Sequence, residues 1–179
     1  MSNKKSNIYL EQSDIKVKFR YTKEEYVKSR RKFLLESKAI SKGNISFLIF
    51  MTFFEILLLL MREKFFSIIN GVLLVISYIL IILLYYVQPI KVYNKTKMLK
   101  EEMELEFNDK GVKIKLNNDS SIILWDNICE IWESKDYIFL MQSKISYILI
   151  LKRAFRNKAD IVKIQRIYEN NNGKYKNIK

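Results

Sequence analysis

Carboxylates without an imidazole partner bound what chemistry this sequence can attempt. Among its 179 residues are 19 Asp and Glu, one cysteine, Cys129, and no histidine. Ser-His-Asp and Cys-His machinery and the usual zinc hydrolases therefore lack a necessary member, and a lone cysteine supports neither an internal disulfide nor a multi-cysteine metal site. Three groupings remain. Glu55 stands alone near the middle of an apolar block that begins at Ile45. Trp125-Asp126-Asn127-Ile128, followed by Glu130, Trp132 and Glu133, brings carboxylates and indoles close together in sequence. Lys152, Arg153, Arg156 and Lys158 gather cations beyond a short apolar run.

Each grouping has a chemical reading and a structural one. A charge at the depth of Glu55 costs about 2.5–3.5 kcal/mol on insertion scales, so it needs relief. If the chain turns near residue 63, Glu55 faces about residue 71, which makes the Asn70 amide its expected partner; protonation is the other escape. A transport path organised around Glu55 is the alternative function, but it needs more polar groups in register than these helices offer. The acidic-aromatic stretch could suggest acid/base work, yet a retaining glycosidase pair needs carboxylates about 5 Å apart across a sugar. Core aromatics with a solvated acidic edge are the expectation. The four cations could meet phosphates or lipid headgroups, or offset the domain's acids.

These groups depend on the elements that carry them. Ile45 to Met61 and Phe65 to Ile90 are two apolar blocks divided by Arg62-Glu63-Lys64. At a rise of about 1.5 Å per residue both approach or exceed a hydrocarbon core of about 30 Å. The pattern predicts a transmembrane hairpin over 45–90 that turns within 62–71, Asn70-Gly71 being the better turn dipeptide. The net charge of +13 follows the same geography: 12 of the 32 Lys and Arg precede the hairpin, 18 follow it, and only Arg62 and Lys64 lie in the turn. That is the positive-inside pattern, which puts both termini in the cytoplasm and the protein in the cell membrane as a multi-pass protein. The first span should act as its own targeting signal, since no cleavable leader is apparent. The charge is a topology signal before it is a binding signal, and no nucleic-acid partner is expected, although aromatics on a basic sheet can stack bases in principle.

Around the hairpin the pattern changes. Residues 1–13 are expected to be loose and 14–42 to form a cytoplasmic strand and an amphipathic helix. Ile15, Val17, Phe19 and Tyr21 alternate with Lys16, Lys18 and Arg20, and Thr22-Lys23-Glu24-Glu25 has capping-box spacing. Tyr26, Phe33, Leu34 and Ile40 should form that helix's apolar face, opposite Lys28, Arg31, Lys32 and Lys38, before Gly43-Asn44 breaks it. Pro89 falls at the end of the second span, where its missing amide is easily tolerated. Residues 91–103 predict a helical connector and 104–169 a β-module. Its strands begin at Leu105-Phe107, Val112 and Ser121 and continue at Ile128–Glu133, Tyr137–Met141 and Ser146–Leu151, with polar turns such as Asn117-Asn118-Asp119 between them. Asn157 caps a helix bearing Ile161, Ile164, Ile167 and Tyr168, and the Asn- and Lys-rich tail 170–179 reads as disordered.

Four stretches together resemble the YcxB-like membrane proteins of Gram-positive bacteria. They are Phe19-Arg20-Tyr21-Thr22-Lys23-Glu24-Glu25-Tyr26, Phe107-Asn108-Asp109-Lys110-Gly111-Val112, Ile123-Leu124-Trp125-Asp126-Asn127-Ile128 and Tyr147-Ile148-Leu149-Ile150-Leu151-Lys152-Arg153-Ala154-Phe155. The chain departs from the family at Leu151, where proline is usual. The resemblance implies a pleckstrin-homology-like module and brings no assigned chemistry with it. The expected fold is a membrane α-helical hairpin plus a seven-stranded pleckstrin-homology-like β-sandwich closed by a C-terminal helix, joined by the strand before the hairpin. The expected function is non-enzymatic and needs no cofactor or metal: a module that binds a protein, peptide or anionic lipid at the inner membrane surface. Lys152, Arg153, Arg156 and Lys158 are its candidate contacts, with membrane lipids and a protein or peptide segment as partners.

Overall fold

A computed structural model describes residues 15–37, 39, 42–117, 119–171 and 173–178. The expected loose segment 1–13 lies outside the described residues, as do Lys38, Ile40 and Asn118. The chain divides into two compact units. One comprises residues up to Arg20 together with Glu101–Lys179, and the other is Tyr21–Lys100.

The first unit holds two four-stranded sheets. In the first, β1 (Ile15–Phe19), β2 (Met103–Asn108), β3 (Gly111–Leu116) and β4 (Asp119–Leu124) pair antiparallel in that order. The alternation of β1 decides its place, because Ile15, Val17 and Phe19 are buried while Lys16 and Lys18 are exposed. Its register sets Ile15 opposite Phe107 and Phe19 opposite Met103, so a strand from before the apolar helices pairs with one that follows them. Gly111 is required by close approach, since a Cβ there would fall 2.1 Å from the Ile123 carbonyl oxygen, and backbone cannot yield as a side chain can.

The second sheet runs β7 (Tyr147–Leu151), β6 (Tyr137–Met141), β5 (Glu130–Glu133), β8 (Lys174–Asn177). Every residue of β6 is buried, as suits a central strand. Helix α5 (Lys158–Asn170) buries Ile164 and Tyr168, and the Tyr168 hydroxyl donates to the Ile128 carbonyl at 2.9 Å. Asn157 is its N-cap by backbone position, but its side chain makes no capping bond. The tail expected to be disordered instead forms β8, making eight strands where seven were expected. Lys- and Asn-rich composition hides such a strand, because an edge strand is held largely by main-chain bonds and needs little apolar alternation.

The second unit is helical. Helix α1 (Lys23–Glu36) starts with the expected capping box: Thr22 Oγ1 accepts from the Glu25 amide at 3.2 Å, and the Glu25 carboxylate accepts from the Thr22 amide at 3.0 Å. Helix α2 (Lys42–Leu60) carries Gly43 and Asn44 in its first turn, so they do not break the pattern. First-turn amides have no intrahelical partner in any case, which makes this a cheap place for such residues. The hairpin reverses at Arg62, not at Asn70-Gly71. Arg62 adopts φ 58°, with Glu63 N–H donating to Leu58 O at 3.0 Å and Arg62 N–H to Leu59 O at 3.2 Å, a Schellman closure. Asn70 and Gly71 lie inside α3 (Lys64–Ile82). A π-helical turn, Leu83–Val87, leads into α4 (Gln88–Lys95), so the expected helical connector is α-helical to Lys95, continues as a 3-10 turn, Lys97–Lys100, and gives way to β2 at Met103.

Ion pairs tie β1 and β3 to β2. Glu106 meets Lys16 at 2.9 Å and Lys115 at 3.3 Å. The Lys16 hydrogen bond, reinforced by Lys115 against partial desolvation, holds the Glu106 carboxyl below its ordinary value of 4.5. A depressed carboxylate stabilises the fold above its unfolded pKa, and that contribution is lost as pH falls through the folded one. Thermal melts of the chain should therefore show a midpoint that declines as pH drops below 4.5. Glu106→Gln should lower the neutral-pH midpoint and flatten this part of the acid decline; an unchanged acid profile would remove Glu106 from the account.

Candidate functional site

The carboxylate expected to need relief has it. Ser67 Oγ donates to Glu55 Oε1 at 2.5 Å, and Asn70 Nδ2 donates to Glu55 Oε2 at 2.8 Å and to the Met51 carbonyl at 3.3 Å. One helical turn of α3 thus presents both donors to α2, because residues three apart share a face. Ser67 and Asn70 are buried, Glu55 is half-buried, and Asn70 Oδ1 is buried without a partner among the described residues. Sequence reasoning placed Asn70 opposite Glu55 and missed Ser67, which the three-residue spacing would have found. Further along the pair, Thr52 Oγ1 lies 3.0 Å from the Tyr78 hydroxyl.

A second polar device lies at the other end of α3. In a regular helix the Tyr85 carbonyl would accept from residue 89, but Pro89 has no N–H. Arg31 of α1 fills the gap: its Nε donates to Tyr85 O at 3.1 Å, and its guanidinium lies 5.3 and 5.0 Å from the Tyr85 and Tyr86 ring centres. The π-helical turn fits the same defect, with Gln88 N–H donating back to Leu83 O. Nearby, Tyr26 packs 6.3 Å from Tyr21 and 5.9 Å from Tyr93, and burial raises its phenol pKa despite the opposing charge of Arg30.

In the β-module two of the four expected contact cations already have partners within the module. Lys152 is ion-paired with Glu133, and Arg153 donates to the Arg20 carbonyl at 3.0 Å, beside the end of β1. Arg156 and Lys158 are exposed on the segment entering α5. The acidic-aromatic stretch also divides. Trp125 is a core residue whose indole donates to Asn108 O at 2.9 Å, its ring 5.7 Å from Tyr168. Glu130 and Glu133 instead serve the sheet edge. Glu130 accepts from the Trp132 indole at 2.5 Å, and Glu133 accepts from the Tyr175 hydroxyl of β8 at 2.6 Å. Burial, then the Glu133 hydrogen bond, raises the Tyr175 pKa well above the ordinary phenol range. No cluster of His, Cys, Asp and Glu suited to a metal occurs among the described residues.

This module is where the chain meets a known family. Residues 107–172, from the end of β2 through α5, match the family described as YcxB-like protein, so this region is YcxB-like. No curated protein and no solved structure matches the chain.

The clamp at Glu55 is testable by itself. Asn70→Leu should destabilise the α2–α3 pair by about 1–2 kcal/mol, read by unfolding the chain in mixed micelles, because one carboxylate oxygen loses its donor. Combining it with Glu55→Leu should cost less than the two single losses added together, and strict additivity would show that the pair is not coupled.

Proposed function

We propose that this chain is a two-span integral membrane protein presenting a non-enzymatic, pleckstrin-homology-like module that binds a protein or peptide segment at the inner membrane surface. The observation that carries the membrane assignment is the outside of α2 and α3. Their apolar side chains point away from the protein, with Leu60 77%, Phe65 70% and Ile68 67% exposed. A sheath of that extent is poorly suited to water. The two helices are also long and apolar enough to cross a bilayer.

The sheet supports an even number of crossings. Because β1 and β2 are hydrogen-bonded neighbours, the chain between them must return to the side it left, and two spans satisfy this where one or three would not. Together with the cation count, this favours cytoplasmic segments on both sides of the hairpin.

For the module, seven strands divided four and three between the sheets and followed by α5 support the pleckstrin-homology-like reading, with β8 as an added edge. Anionic lipid is the secondary ligand, resting on Arg156 and Lys158, since Lys152 and Arg153 already make contacts within the module. Both oxygens of Glu55 are engaged by donors from α3, which favours a clamp over a transport path.

Two measurements test the reading. In a Cys129→Ser background, Lys64→Cys should react with an impermeant thiol reagent on intact cells and Lys158→Cys only after permeabilisation. The reverse pattern, or both sites reacting on intact cells, would end the topology. The full chain in anionic nanodiscs should show slower hydrogen exchange over residues 152–158 than in neutral ones; no difference would remove the lipid as a ligand.

A further inference from the structure

The free side of β5 is covered by the chain's own last described strand. β8 is the one strand among the described residues that pairs parallel, with Glu130 opposite Lys174, Ile131 opposite Tyr175, Trp132 opposite Lys176 and Glu133 opposite Asn177. Main-chain bonds supply the ladder, and Ile178 N–H extends it to Glu133 O at 2.7 Å. Three side chains specify the strand. Tyr175 donates to the Glu133 carboxylate, the Lys176 ammonium lies 4.9 Å from the Trp132 ring centre, and Ile178 is buried at the far end. The Trp132 ring is itself held by Glu130. Lys174, Lys176 and Asn177 are exposed, so β8 adds little to the module's core.

β8 is an outer strand, whereas β6 is buried throughout and β7 in its last three residues, and outer strands open at lower free energy than central ones. What β8 would uncover has a definite chemistry: a row of unpaired main-chain groups, an indole face suited to a cation, the Glu130 carboxylate, and the Glu133 carboxylate, which also holds Lys152. Those carboxylates disfavour phosphate and other anions. They favour an extended, positively charged segment with a hydroxyl-bearing aromatic in the position of Tyr175.

We propose that the β5 edge is a docking site for an extended cationic-aromatic peptide segment of a partner protein, and that β8 is a built-in pseudo-ligand that must be displaced for the partner to bind. The proposal rests on the binding-module reading above and names its partner class and its regulation. Occupancy by β8 lowers the partner's apparent affinity by the fraction of time the edge is closed. The return of the chain from α5 is tightly built, since a Cβ on Gly173 would fall 2.3 Å from the Tyr168 ring, and that ring is tied to Ile128 through its hydroxyl. Closure is therefore specified by the chain itself.

The test uses the chain in detergent, ending either at Lys179 or after Asn171, and a fluorescein-labelled peptide of the sequence from Gly173 to Lys179. Fluorescence anisotropy should show the shortened chain binding the peptide at least about tenfold tighter than the intact chain does. Glu133→Leu in the shortened chain, which removes the acceptor, should weaken binding about fivefold or more through loss of the hydroxyl contact. Equal binding to both chains, or none to a shortened chain that keeps its circular dichroism, overturns the proposal. Should shortening unfold the module, hydrogen exchange in the intact chain decides: residues 175–178 should exchange about 100-fold faster than Phe139 and Leu140, and equal rates would mean β8 opens only with the whole module. An intact-chain dimer that exchanges β8 between copies would make the partner a second copy and overturn the proposal as stated. A shortened chain that ignores the peptide yet still responds to anionic nanodiscs leaves the binding-module reading in place, whereas loss of both responses removes that reading as well.

Discussion

The pairing of β1 with β2 is the constraint on which this architecture rests. Phe19 and Met103 are opposite each other in one antiparallel ladder, so the point where the chain leaves the sheet and the point where it re-enters are neighbours. Everything between them must be a closed excursion. An apolar helical hairpin is a simple excursion of this kind, because its two helices satisfy their own backbone groups and bring the chain back to where it started. The closure entropy of so long a loop grows only slowly with its length, and the buried face of β1 offsets it. Ile15, Val17 and Phe19 would otherwise have no surface to cover them.

Within the helical unit, three local defects are each met by a specific donor or backbone conformation. The Glu55 carboxylate in an apolar pair is met by Ser67 and Asn70. The carbonyl orphaned by Pro89 is met by Arg31. The chain reversal is met by the left-handed backbone of Arg62. A non-glycine residue in that conformation costs about 1–2 kcal/mol, offset here by the two Schellman bonds that close the end of α2. Polar groups here act mainly as geometry-fixing contacts.

In the β-module the same economy appears at the sheet edge. Glu133 receives Lys152 from beyond β7 and Tyr175 from β8 on one carboxylate, joining the two outer strands of its sheet through the side chain of a third. Lys152 and Tyr175 are distant in sequence and nothing in their local patterns links them. The basic cluster and the acidic stretch, each suggestive alone, are in part each other's partners.

Much of this was legible from residue order. Strict alternation at Ile15–Phe19, the Thr22–Glu25 capping box and the long apolar blocks are local signals whose physics acts within a few residues, and the structure has them where the pattern places them. Asn70 as partner to Glu55 needed only helix periodicity and an approximate turn. Other features depended on contacts that no local window contains. The reversal at Arg62 was decided by Schellman bonds between helix ends, against the stronger turn dipeptide Asn70-Gly71, which is drawn into α3 because Asn70 is needed on the carboxylate. β8 was invisible because its strand character comes from the open edge of β5 and from Glu133 and Trp132, not from its own composition. The sequence by itself determined the elements whose stability is local or whose burial is periodic. Only the tertiary structure decided which unpaired main-chain edge, orphaned carbonyl or isolated carboxylate was satisfied by which distant group, because those bonds exist only after the chain has brought their ends together.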